Sequence, residues 1–352
     1  MTTAPDARAT VWDVAQRAGV SAMTVSRVIN GAPTVSAANR EKVMRAIEEL
    51  QYRVNVAARA ARIGTVRVGL LYSNPSEAFL SAFLVGALGE CGRSGAHLIL
   101  ENCGDLRGQR VAIDRLIANG ADGILVPPPL CDSKAAMRQL SALGVPTLAV
   151  ATARPSPRMS AVRIDDYEGA KTLTNYLLSL GHVDIGFVKG DPEHTPAQLR
   201  YQAFIDTMRE AGHAVRAERI AQGMFTYRSG LLAARELLSH PTRPTAIFAS
   251  NDDMAAAVVA VAHGMHLRVP DDVAVCGFDD TPVATAVWPE LTTIRQPITD
   301  MARGAVALLI EHIRSQRRGQ ACVPRHRLMP YALVVRDSTA GAAAGDGAGR
   351  RR

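Results

Sequence analysis

The chain has 352 residues, 47% of them hydrophobic, which is enough for two or three domains with proper cores. Its formal net charge of +7 is unevenly placed: residues 1–62 hold nine Lys/Arg against five Asp/Glu, whereas residues 63–338 hold 28 against 27. Five cysteines, an odd count without CxxC spacing, argue against a disulfide framework or a zinc site, and no signal peptide or membrane-spanning run is legible, so a reducing cytoplasm is expected.

In chain order, the first predicted element is a helix in which Val11, Val14, Ala15 and Ala18 share one face. Gly19 tolerates the positive φ of a tight turn, and Ser21 is placed to cap a second helix that turns Val25, Val28 and Ile29 inward. Two short helices joined by a glycine-containing turn are the helix-turn-helix plan, whose second helix lies in the DNA major groove. Its outward side chains are Ala22, Met23, Ser26, Arg27 and Asn30. Arg27 can take guanine O6 and N7 bidentately, while Ala22 and Met23 suit thymine methyls. Ser21, Thr24 and the backbone amides at the helix start suit phosphate oxygens. The basic excess at this end of the chain fits a polyanionic partner.

A third helix is predicted from Ala37 to Leu50, capped by Ser36, with Val43, Ala46, Ile47 and Leu50 facing the first two. Together these define an all-α DNA-binding domain over residues 9–52. Asn55 can cap a short Ala/Arg-rich helix to Arg62 that is too short to be stable alone in water. Residues 53–65 are therefore read as a hinge linker that becomes helical only with a partner.

From Val66 apolar strands alternate with amphipathic helices. Strands are predicted at Val66–Tyr72, Ala96–Asn102, Gly123–Val126, Thr147–Ala151, Val162–Ile164, Asp184–Val188, Thr245–Ala249, Val273–Gly277 and Leu328–Val335. Helices are predicted at Glu77–Arg93, Arg107–Asn119, Glu168–Leu180, Ala197–Ala211, Ser229–Leu238, Asp252–His263 and Thr299–Ser315. This alternation implies parallel sheets covered on both faces. The run is too long for one sheet, so residues 66–338 are expected to form an α/β core of two doubly wound subdomains, about 66–160 and 161–295, with the chain crossing back afterwards. Residues 339–352 read as a disordered tail. No GxGxxG follows the first strand, and there is no GxxxxGK[ST], GxSxG or metal-ligand spacing, so neither an enzyme nor a cofactor is expected.

Six motifs stand in order: VWDVAQRAGVSAMTVSRVIN, VSAANREKVMRAIEELQY, LLSLGHVDIGFVKG, AIFASNDDMAAAVV, VPDDVAVCGFDD and PELTTIRQP. Through them the chain resembles the lactose-repressor/galactose-repressor family of bacterial regulators over almost its whole length. The resemblance implies a hinge helix, a core like periplasmic sugar-binding proteins, and a homodimer reading a pseudo-palindromic operator. By position it places base contacts at Ala22, Met23 and Arg27, and effector contacts at Arg200, Phe225, Asn251, Asp252, Asp279 and Gln296. Tyr72, Ser73, Asn74 and Phe79 follow the first strand and are expected along the same cleft, because ligands of open α/β sheets bind beyond the carboxyl ends of strands. The function implied is repression of carbohydrate-utilisation genes, relieved by a sugar. Corepression is the alternative reading, and a transporter's sugar-binding protein is disfavoured by residues 11–50.

Two departures from the family pattern affect the hinge. Val54 replaces its usual proline, and Ala61 replaces the leucine that wedges into the minor groove. An alanine is too small to unstack a base step. Weaker operator bending is therefore expected, or greater reliance on Arg59 and Arg62 in the groove. Equal, strong kinks induced by the native protein and by Ala61→Leu in a DNA-bending assay would sink this expectation.

Overall fold

The computed structural model describes residues 11–29, 35–50, 65–73, 76–104 and 108–339. The chain divides into an N-terminal unit, Met1–Ile63, and a core unit, Gly64–Arg352.

Among its described residues the N-terminal unit holds three helices: α1 (Val11–Ala18), α2 (Ala22–Ile29) and α3 (Ala37–Glu49). Val14, Ala15, Ala18, Val25, Val28, Val43 and Ala46 close its small core, flanked by Val20, Val35, Ile47 and Leu50. Gly19 takes φ +64° at the turn, and the Ser21 hydroxyl accepts the Thr24 amide at 3.1 Å, capping α2. Ser36 caps α3 in the same way through the Asn39 amide. An exposed Arg17–Glu49 ion pair joins α1 to the end of α3.

The core unit has two lobes. Strands β1 (Arg67–Tyr72), β2 (His97–Asn102), β3 (Gly123–Val126), β4 (Thr147–Val150), β5 (Ser160–Arg163) and β11 (His326–Leu328) form an all-parallel sheet of order β11-β5-β4-β3-β1-β2. Helices α4 (Glu77–Ser94), α5 (Gln109–Ala118), α6 (Lys134–Ala142) and α11 (Ile298–Arg317) belong to this first lobe. Every residue of β3 is buried, and the centre of β1 likewise, as expected of strands covered on both faces. Helices α4 and α11 cross so closely that a Cβ on Gly86 would lie 2.2 Å from the Thr299 carbonyl oxygen.

The second lobe holds the parallel sheet β7-β6-β8-β9, made of β6 (Ile185–Lys189), β7 (Ile220–Gln222), β8 (Ala246–Ala249) and β9 (Ala274–Cys276). Its helices are α7 (Asp166–Ser179), α8 (Thr195–Glu210), α9 (Tyr227–Leu238) and α10 (Asp252–Gly264), and an antiparallel pair joins β10 (Thr293–Arg295) to β12 (Ala332–Val334). The chain passes between lobes three times: from β5 to α7, from β10 to α11, and from β11 to β12.

Several expectations are corrected. The strand predicted at Val162–Ile164 is β5, Ser160–Arg163, and it pairs with β4 in the first lobe rather than opening the second at residue 161. The single strand predicted over Leu328–Val335 is two strands on different sheets, separated by Met329, Pro330 and Tyr331; Pro330 has no amide to continue a ladder. Helix α6 and strands β7 and β10 were not anticipated. Thr339, assigned to the tail, is 3% exposed and hydrogen-bonds Tyr176 and Thr292, while residues 340–352 lie outside the described residues. No helix among the described residues is long and apolar enough to cross a membrane.

Candidate functional site

Of the side chains predicted to read DNA, the described ones are Ser21, Met23 and Thr24. Met23 is 64% exposed on α2 although Val25 and Val28 of the same helix are buried, so a large apolar side chain stands ready for an outside partner. Ser21 caps the helix and also shares a 2.9 Å hydrogen bond with the Thr24 hydroxyl. That fixes the first turn of the helix. The side chains of Ala22, Ser26 and Arg27, and residues Asn30, Asn55, Arg59, Ala61 and Arg62, lie outside the described residues.

In the core unit, both lobes contribute to one cavity at the C-terminal ends of their strands. Of the predicted effector contacts, Phe79, Arg200, Phe225, Asn251, Asp279 and Gln296 line it, together with Ser76, Pro128, Ala151, His194 and Pro196. Arg200 is its electrostatic centre. Its Nε and Nη2 donate to Asp166 Oδ1 at 2.9 and 2.8 Å, its Nη1 donates to the Ser250 carbonyl at 2.7 Å, and its plane lies 3.7 Å from the Phe278 ring centroid. Five N–H groups on a guanidinium leave donors on Nη1 and Nη2 for a ligand. Asp279 Oδ1 sits 3.6 Å from Arg200 Nη1 and accepts the Gln296 amide at 2.6 Å, and among the described residues its Oδ2 has no hydrogen bond. Burial pushes the Asp279 carboxyl up to about 7 against the opposing pull of Arg200.

Phe225 supplies an apolar wall. Its ring lies on Gly190, where a Cβ would be 2.2 Å from Phe225 Cζ, and its carbonyl accepts the Asn251 side-chain amide at 3.0 Å. The His194 ring is 5.1 Å away and 4% exposed; among the described residues its Nε2 has no hydrogen-bond partner, with Asp191 Oδ2 3.8 Å off. Burial lowers the His194 pKa to about 4, so the ring is neutral at physiological pH. Backbone strain gathers here too. Ala151 (φ 52°), Phe225 (φ 58°) and Asp279 (φ 114°) all line the cavity, and only five non-glycine residues among those described have positive φ. Such strain concentrates where function needs it.

Some predicted contacts fall elsewhere. The Asp252 carboxylate is fully buried behind the cavity, where it accepts the Thr281 amide at 2.8 Å and the Thr293 hydroxyl at 2.7 Å, bracing the turn that carries Asp279. Asn251 reaches the cavity, but its side chain is engaged: Oδ1 caps α10 through the Met254 amide, and Nδ2 holds Phe225 and Asp253. Tyr72 and Ser73 do not line the cavity, and Asn74 lies outside the described residues. Sequence reasoning did not place Asp166 or His194 in the site. Asp166 follows a strand as many loop acids do and carries no local signal of its pairing with Arg200; His194 could have been found from its place directly before the helix that carries Arg200.

Hydrogen bonds across the cleft hold the lobes together. Ser76 donates to Asp253 (2.9 Å), Thr195 to Asp132 (2.7 Å) and Arg154 to Gln198 (3.2 Å). The cavity they enclose is about 40 Å³, well below the ~300–1,000 Å³ usual for small-molecule sites.

A helix-turn-helix unit on the same chain as a two-lobed α/β core with a polar cleft defines a ligand-responsive DNA-binding regulator. Residues 10–55 match the family described as bacterial regulatory proteins, lacI family, and residues 174–339 match the periplasmic binding protein-like domain. The chain is 34% identical to the HTH-type transcriptional repressor PurR of Vibrio vulnificus (strain CMCP6) over 94% of its own length and 98% of the relative's. It is 35% identical to the ribose operon repressor of Escherichia coli (strain K12), over 87% and 93%. Among solved structures, the Lac repressor dimer bound to operator and the anti-inducer ONPF superposes with a TM-score of 0.72 at 28% identity, covering 95% of this chain and all of that one. This chain belongs to the lacI family of bacterial regulatory proteins, and it is a DNA-binding transcriptional regulator.

Proposed function

We propose that the protein is a cytoplasmic homodimeric repressor of carbohydrate-utilisation genes, released from a pseudo-palindromic operator when a sugar occupies the cleft between its lobes. The observation that carries this reading is the lining of the cleft. Free donors on Arg200, a free acceptor on Asp279, the unpartnered His194 Nε2 and the Phe225 ring together offer hydrogen bonds and a stacking face to a polyhydroxylated ring. The likeness to the ribose operon repressor and to a Lac repressor dimer on its operator supports the same reading. Release follows from a population shift: a sugar moves the equilibrium only by its differential affinity for the two lobe arrangements.

The test has two stages. Duplexes bound from a random DNA pool are sequenced at physiological salt, and operator affinity is then measured against pentoses, hexoses, disaccharides, nucleobases and amino acids. A palindromic consensus and release by a sugar are expected. Release by a nucleobase or amino acid, with every sugar inert, would overturn the sugar assignment.

Protonation supplies a further prediction. An ionised Asp279 accepts hydroxyl protons from the sugar, and with a pKa of about 7 the group is mostly neutral at pH 6 and mostly ionised at pH 8. Effector affinity is therefore expected to rise by up to ~10-fold across that interval and fall back as pH drops. Titrations of native protein and Asp279→Asn check this: the variant should bind weakly with no slope, and an unchanged slope would place the titration on another group.

A further inference from the structure

A second cavity, of about 530 Å³, lies wholly within the first lobe at the opposite end of its sheet, beside the N-terminal ends of β4 and β5. We propose that it is a separate binding site for a small molecule carrying an anionic group, a carboxylate, sulfonate or phosphate, on an apolar body. Its volume is in the range of ligand sites, whereas the cleft between the lobes is nearly filled.

Two kinds of wall point to that chemistry. Met137, Leu140 and Met159 give it an apolar lining. Arg138 and Arg158 line it as exposed cations, no carboxylate lines it, and neither arginine has a carboxylate partner among the described residues. His312 also lines the cavity; it is 8% exposed, and among the described residues its buried Nε2 has no hydrogen-bond partner. Cationic and hydrogen-bonding groups over an apolar lining complement an amphipathic anion. The chain's own residues 340–352 make a poor occupant, because they carry three arginines against one aspartate.

The site is also placed to be felt by the rest of the molecule. His312 and Gln316 belong to α11, and Gln316 donates to the Gly144 carbonyl at 2.9 Å across the cavity wall. One residue further along, Arg317 pairs with Asp122 at 2.8 Å and donates to the Thr65 carbonyl at 3.5 Å. Thr65 is the first described residue after the segment 51–64, so a ligand that shifts the end of α11 acts where the core takes up the chain from the hinge.

Cys322 reports on occupancy, because it lines this cavity and is exposed while the other four cysteines are buried. The probe is 8-anilinonaphthalene-1-sulfonate, an aromatic sulfonate, and the readout is the rate at which 4,4′-dithiodipyridine modifies Cys322 in the full-length protein. Saturating probe is expected to slow modification by about tenfold or more, and the half-protecting concentration should rise by at least about tenfold in Arg138→Glu/Arg158→Glu. Both arginines are exposed, and an unchanged melting temperature together with an unchanged rate without probe verifies that the variant is folded. Arg235→Glu, on the second lobe, should protect like the native protein. No protection, or equal protection in the double variant, overturns the proposal, as would a faster unprotected rate on deleting residues 340–352, which would make the chain's own tail the occupant.

Discussion

Arg200→Lys is expected to lower effector affinity by roughly 100-fold or more while leaving operator binding without effector intact. The guanidinium reaches Asp166 through two nitrogens and Ser250 through a third, lies flat on Phe278, and still presents donors to the cleft. An ammonium on a flexible stem offers one point of contact and cannot hold that plane. Losing two charge-assisted hydrogen bonds to a ligand, at about 1.5–3 kcal/mol each, accounts for the expected drop. Effector titrations of operator release check it, and a native-like response in the lysine variant would remove Arg200 from the site. Arg200→Met goes further by leaving Asp166, 2% exposed, without its cation. Orphaning one member of a buried pair costs about 3–5 kcal/mol. Melting temperature should fall accordingly and recover in Arg200→Met/Asp166→Asn, whereas the effector response should not return.

Arg27→Ala should weaken operator binding by about 1–3 kcal/mol and relax the preference at one base pair in each half-site. The reasoning begins with α2. Val25 and Val28 are buried in the three-helix core, which fixes the rotation of the helix and leaves Met23 largely exposed. We propose that Arg27, carried on this helix, reads a base edge, whereas a contact to phosphate would be indifferent to sequence. Arg59→Ala tests the contrast: should Arg59 touch phosphate as well as enter the groove, its loss lowers affinity for all sequences and reduces the salt dependence. Competition with single-base operator variants at fixed salt separates the two. Uniform weakening by Arg27→Ala would assign it to the phosphate backbone.

The parts of the fold legible in the sequence are those fixed by local chemistry. Gly19 and Ser21 announce a turn and a cap, and runs such as Gly123–Val126 are apolar because both faces of their sheet are covered. Helix α6 escaped notice because it is only nine residues long and buries only Ala136 and Leu140. Strands β7 and β10 are three residues each, and their pairing is decided by neighbours distant in sequence. The site divides in the same way. Asp252 and Asp279 look alike as acids following apolar strands, yet the fold turns one into a brace behind the cavity and the other into its lining. Asp166 lies 34 residues before its partner Arg200, and no local pattern encodes that pairing.

Three chain crossings between the lobes restrict how the cleft can move. Two of them lie side by side, since Met329 donates to the Arg163 carbonyl where one segment leaves the first sheet next to the other. A single tether would let the lobes swivel, slide and twist; three grouped along one side leave bending about a common axis as the soft coordinate. Under the proposed function, the movement between lobes is then a mechanical linkage with few degrees of freedom, and a small change of angle at the crossings becomes a larger displacement at the far rim. The same wiring makes the lobes inseparable at the level of the gene. Residues of the second lobe are encoded on both sides of α11, and Ser338 and Thr339 at the far end bind Thr292. A truncation there would loosen a lobe whose first strand begins more than a hundred residues upstream.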